Sequence, residues 1–230
     1  MNQLTTVGIV LTRTDFGEAD RIITMLTPDY GKLRLMAKGV RRIKSKLAGG
    51  IELFSTSHIT FIRGRGDIDT LISSRLEKYY AKIVQDLNRT MLGYDLIKLL
   101  NRVTEDQTEA AYFQLMQTTL ESLNDSAVPI QLISTWFSAQ LLELAGHIPN
   151  LQTDDHNQKL EVDKNYTFNF DQMAFQPSPT GNFTANHIKL LRLLFGSSPP
   201  QTLWRIQGEA ALLTDLEPTV KTMLKTHIRI

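Results

Sequence analysis

"TVGIVLTRTDFGEADRIITMLTPDYGKLRLMAK", residues 6–38, is three apolar runs separated by two polar turns. "TVGIVLTR" is β-branched and ends in "TDFGEAD", "RIITMLT" ends in "PDYG", and "KLRLMAK" alternates basic and apolar residues. Runs of this length bounded by Gly, Asp and Pro read as strands. Side chains alternate across a strand, so Lys32 and Arg34, with Lys38 beyond them, fall on one face, and Leu33, Leu35 and Ala37 fall on the other. One face is core and the other is basic. Downstream, "LFSTSHITFIRG" at 53–64 and, past the turn "RGRGD", "IDTLISSRLEKYY" at 68–80 add two more strands. Five short strands suit a small closed barrel of the OB type, because closure removes exposed edges.

Beyond this the pattern turns helical near Ala81. Leu92, Leu96, Leu99 and Val103 recur at spacings of four, three and four. Further helices are expected over Thr108–Leu123 and Ile130–Ala145, the latter ended by Gly146 as a left-handed cap and by Pro149. Residues 150–182 differ in character: "NLQTDDHNQKLEVDKN" is polar, and "YTFNFDQMAFQP" predicts a hairpin turning at Asp171–Gln172. Thr184 is an N-cap for "ANHIKLLRLLF", and Pro218 is expected to break or restart the final helix. The class is therefore α+β: an N-terminal five-stranded OB-type β-barrel over 1–80, then an α-helical domain over 81–230 that carries a small β-hairpin lobe at 150–182.

Composition excludes much. Hydrophobic residues make up 42% and charged residues 21%, an ordinary globular balance for 230 residues. There is no cysteine, which removes disulfides, thiolate zinc and a cysteine nucleophile together. The N-terminus lacks a signal-peptide pattern, and no apolar run is long enough to span a membrane. Phosphate-cradling, zinc-hydrolase and serine-hydrolase signatures are missing, so no catalytic residues are assigned. His147, His156, Asp154 and Asp155 have an irregular spacing that matches no zinc pattern, so neither metal nor cofactor is expected.

Charge carries the functional signal. Residues 1–80 hold 13 Lys and Arg against 8 Asp and Glu, leaving 12 against 16 for 81–230, although the whole chain is only +1. Residues 31–50 contain seven basic side chains and no acidic one. Such a run, continuing a strand whose outer face is already basic, reads as a surface for a polyanion. The candidate contacts are Lys32, Arg34, Lys38, Arg41, Arg42, Lys44 and Lys46, with Arg63 and Arg65 on the turn between the fourth and fifth strands. The basic loop has no aromatic residue, and Phe16, Phe61, Tyr79 and Tyr80 are the nearest stacking candidates. Contact through phosphates should dominate, tolerant of base sequence and sensitive to salt. Barrel and charge alone leave an RNA-binding OB protein open.

Residues 6–72 resemble the N-terminal half of the bacterial RecO family of DNA repair proteins. The likeness rests on the opening G-I-V-L-x-x-x-D-x-G-E-A-D-R-I at 8–22, the Y-G-K-L turn at 30–33, the A-K-G-x-R-R corner at 37–42 and the R-G-x-G turn at 63–66. Afterwards only the helix pattern and the ending "LKTH" extend it. The resemblance implies a DNA-binding recombination mediator with no enzymatic activity, acting in the cytoplasm at the nucleoid. It would bind single-stranded and double-stranded DNA, anneal complementary strands, and work with RecR on SSB-coated DNA to load RecA. Many members carry a four-cysteine zinc lobe after the third helix; here that lobe has no cysteine, and packing of Phe168, Phe170 and Phe175 is one way to hold it. The family also docks the acidic, apolar-ended tail of SSB, which needs an apolar groove rimmed by cations. Lys98 and Arg102, beside the Leu96–Leu99–Val103 stripe, are the cations the sequence places next to such a groove.

Overall fold

A computed structural model describes residues 2–206 and 209–228, and the chain divides into two compact units, 1–124 and 125–230. In the first, β1 (Gln3–Phe16), β2 (Asp20–Thr27), β3 (Gly31–Ala37), β4 (Ser55–Ile62) and β5 (Asp69–Tyr79) close into a barrel in the order β1-β2-β3-β5-β4. Neighbours are antiparallel except β3 and β5, which meet in parallel at Leu35–Asp69 and Met36–Thr70. The alternation expected in β3 is present: Leu33, Leu35 and Ala37 are buried while Arg34 is exposed. They share the barrel core with Val10, Ile23, Met25, Ile59, Phe61 and Leu71.

The strand-to-helix change expected near Ala81 is followed by α1 (Leu87–Val103) and α2 (Ala110–Leu123), which belong to the same compact unit as the barrel. Asp86 caps α1 by accepting from the Arg89 amide at 3.1 Å. The helix sits so close to the barrel that a Cβ on Gly93 would come within 2.7 Å of the Phe54 ring. Its buried face is Arg89, Gly93, Leu96, Ile97 and Leu100, rotated from the expected Leu92–Leu96–Leu99–Val103 stripe. The glycine and the buried arginine, which donates to the Leu123 carbonyl at 3.0 Å, conceal that face from a hydrophobic pattern.

The second unit holds α3 (Ile130–Leu144), β6 (Asn150–Asp154), β7 (Tyr166–Asn169), β8 (Ala174–Pro177), α4 (Ala185–Leu194), α5 (Pro200–Leu203) and α6 (Glu209–His227). Gly146 ends α3 at φ +80°, with its amide and that of His147 closing on Glu143 and Leu142 at 2.9 and 2.8 Å. The predicted hairpin is β7–β8, pairing Phe168 with Phe175, and β6 joins it to make three strands. Phe168 lies edge-on to Phe170 and Phe175, at 5.1 and 5.2 Å between centroids, so an aromatic cluster fills this lobe. Thr184 starts α4 as expected, with His187 accepting its backbone amide at 3.1 Å in place of the usual Glu. Pro218 does not break α6, which continues through it. The proline and Thr214, whose carbonyl loses its partner, are both exposed, so water can solvate the gap.

Candidate nucleic-acid interface

The segment after β3 is anchored at both ends and projects between them. Val40 is buried, Leu47 packs against the barrel core, and the Ser74 hydroxyl donates to the Leu47 carbonyl at 2.8 Å. At the near end Gly39 turns at φ +64° and its amide donates to Asp20 at 2.6 Å, while the Arg41 amide donates to the Ala19 carbonyl at 2.9 Å. Between these anchors Arg42–Ser45 forms a turn closed by Ser45 N–H to Arg42 C=O at 2.9 Å.

The nine predicted barrel contacts fall into two groups. Arg34, Lys38, Arg42, Lys44, Lys46 and Arg65 are exposed, and none has an ion-pair partner among the described residues. The other three are engaged. Arg41 pairs with Asp15 at 3.5 Å, next to a 2.7 Å Arg21–Asp15 contact. The Arg21 hydrogen bond first, and the Arg41 charge after it, hold the Asp15 carboxyl below its ordinary value despite opposing desolvation. Arg63 pairs with the buried Asp69 at 2.9 Å and lies over the Tyr30 and Phe61 rings at 5.6 and 5.4 Å.

Lys32 is the furthest from a free cation. Its ammonium donates to the carbonyls of Asn101 and Thr104 at the end of α1, at 3.0 and 2.5 Å. A cation there satisfies orphan carbonyls and the negative helix end. Burial pushes its pKa down, with Asp106 and Glu105 opposing. Lys32, Arg34 and Arg63 border a recess of about 320 Å³ that also carries Asp67, Asp69 and Asp106. These carboxylates offset its positive charge, so the recess is less suited to phosphate than the loop is.

Of the aromatic candidates, Phe61 and Tyr80 are core residues, while Phe16 and Tyr79 are exposed. On α1, Lys98 and Arg102 are exposed as expected. The groove predicted beside them is not open: Leu96 is buried and Leu99 and Val103 are half-buried. The exposed apolar residues are instead Leu87, Met91 and Tyr94, at 74, 56 and 48% exposure, in line with Lys98 and Arg102 at helical spacing. That second stripe was visible in the sequence but outranked by the leucine-rich one.

Asp154, Asp155 and His156 do come together, with ligand atoms within 4.8 Å, while His147 stacks on His227 at 4.9 Å. Asp154 accepts the amides of His156 and Gln158 at 2.9 and 2.8 Å, and Asp155 meets the His156 ring at 2.9 Å. The cluster is accounted for as a turn. Among the described residues no helix is long and apolar enough to cross a membrane.

Known proteins give a consistent likeness. The family models described as recombination protein O N-terminal and C-terminal match residues 1–80 and 84–230. A DNA repair protein RecO from Dehalococcoides mccartyi strain 195 is 31% identical over 96% of this chain and 88% of its own length. One from Halalkalibacterium halodurans is 27% identical over 96% and 86%. One from Roseiflexus sp. reaches 35% identity over 64% and 51%.

Proposed function

The chain belongs to the RecO family of DNA repair proteins, and on that premise we propose that its barrel binds single-stranded DNA through phosphates. The observation that carries this is the projecting loop 38–46, where Lys38, Arg42, Lys44 and Lys46 are exposed without acidic partners, with Arg34 and Arg65 as further free cations on the same barrel. Phosphate contact reads no sequence, so the same surface accepts double strands and any pair of complementary strands. Cations that neutralise two backbones at once lower the repulsion opposing annealing. This is mediator work, done by binding and not by catalysis, and in the family it places the protein at DNA in the cytoplasm with RecR, SSB and, indirectly, RecA.

The stripe of Leu87, Met91 and Tyr94 running into Lys98 and Arg102 supports a docking site for the acidic, apolar-ended SSB tail. The apolar residues would take its hydrophobic end and the two cations its acids.

The test of the DNA reading is a salt titration of the full chain on single-stranded DNA. Each phosphate neutralised contributes roughly 0.7 to the slope, so about five contacts predict a log affinity against log salt slope near −3.5. A slope near zero would remove phosphate binding as the main interaction. Matched RNA in the same titration should bind no tighter than DNA.

A further inference from the structure

Within the loop, one residue does not fit the role of a solvated turn. Ile43 occupies a central position of the Arg42–Ser45 turn and is fully exposed at 105%, more than any other large apolar side chain among the described residues. Turn centres favour Gly, Pro, Asn, Asp or Ser, which fit the backbone and are well hydrated; a β-branched apolar residue offers neither advantage. Packing does not explain it either, because Val40 and Leu47 already anchor the loop to the core. Arg42 and Lys44 flank it directly, and Arg41 and Lys46 lie just beyond.

We propose that Ile43 is an apolar wedge that enters between adjacent bases of the strand held by Arg42, Lys44 and Lys46, unstacking one base step. This rests on the reading of the loop as a DNA surface and adds what the cations cannot supply. Phosphate contacts hold the backbone on either side of the tip, so the residue between them faces the bases. Ile is among the residues that proteins drive between base steps, at an unstacking cost of about a few kcal/mol that added contact offsets. The loop has no aromatic residue, so its contact with bases is insertion of an aliphatic tip and not stacking on a ring. A strand opened at one step presents unstacked bases for pairing, which is what annealing needs.

The experiment uses the full chain and a mixed-sequence single strand carrying 2-aminopurine at every third position, whose fluorescence rises on unstacking. Wild type should raise the signal on saturation. Ile43→Ala should lose the rise and bind more weakly while keeping the wild-type salt slope and melting temperature, and Ile43→Leu should restore the rise. An equal rise with Ile43→Ala, or no rise with wild type that binds with a normal salt slope, overturns the wedge and leaves the phosphate reading standing. Failure of wild type to bind removes both. An apolar tip among cations also suits an anionic bilayer, so wild type and Ile43→Ala are sedimented with vesicles of equimolar phosphatidylcholine and phosphatidylserine. Ile43-dependent sedimentation together with no rise on DNA would assign the residue to a membrane instead.

Discussion

Lys32 and Arg63 at the recess and Arg42, Lys44 and Lys46 on the loop are basic side chains of one barrel with opposite surroundings. Of the recess cations these two have partners: Lys32 donates to two carbonyls at the end of α1, and Arg63 pairs with a buried carboxylate and covers two rings. On the loop the three cations have no acid within ion-pair distance among the described residues. The first set is tied into the fold, and the second is left free for the DNA contact proposed above. Counting charge does not separate them; tracing where each charge is spent does.

The largest effect expected from that contrast is at Lys32. Lys32→Ala strands two helix-end carbonyls and should cost about 2 kcal/mol, a fall of several degrees in melting temperature, with the DNA salt slope unchanged. Arg63→Ala leaves Asp69 buried without its guanidinium and should cost about half as much. If either variant kept its stability and lost DNA affinity, the division between the patches would fail.

Lys98 and Arg102 test the same rule on α1, since both are exposed. Lys98→Glu/Arg102→Glu in the full chain should weaken a labelled SSB tail peptide about tenfold, near 1.4 kcal/mol, without moving the melting temperature. Equal affinity would eliminate the pair as that site, and no binding by wild type would remove the docking idea.

The smallest effect concerns Asp15, held below its ordinary range chiefly by Arg21. A carboxyl depressed in the folded state stabilises above its unfolded pKa, and that contribution disappears as pH falls through the folded one. Wild type should therefore lose slightly more stability than Asp15→Asn as pH drops below about 4. Parallel curves would show that the Arg21–Asp15–Arg41 group adds nothing, as exposed pairs often do.

The barrel was legible because its signals are local. Apolar alternation fixes which face of β3 is core, and the glycines at 31 and 39 mark the bends around it. Basic density at 31–50 was equally plain. What sequence could not separate was use: Lys32 and Lys44 look alike until the chain brings Asn101 and Thr104 to one of them across some 70 residues. The same distance effect hid the buried face of α1, where Gly93 is chosen by the Phe54 ring. Pro218 was misread because its cost depends on whether the freed carbonyl meets water, and burial is not written in the neighbouring residues. The strand β6 was missed because it is polar and is held as a strand by pairing with β8.

The most direct test of the central claim is the salt dependence of single-stranded DNA binding by wild type and by Arg41→Ala/Arg42→Ala/Lys44→Ala/Lys46→Ala. With wild type near −3.5, losing three or four phosphate contacts should bring the slope to roughly −1, with affinity for all sequences falling together and the melting temperature held within a few degrees. A variant slope equal to that of wild type would contradict the assignment of DNA binding to this loop.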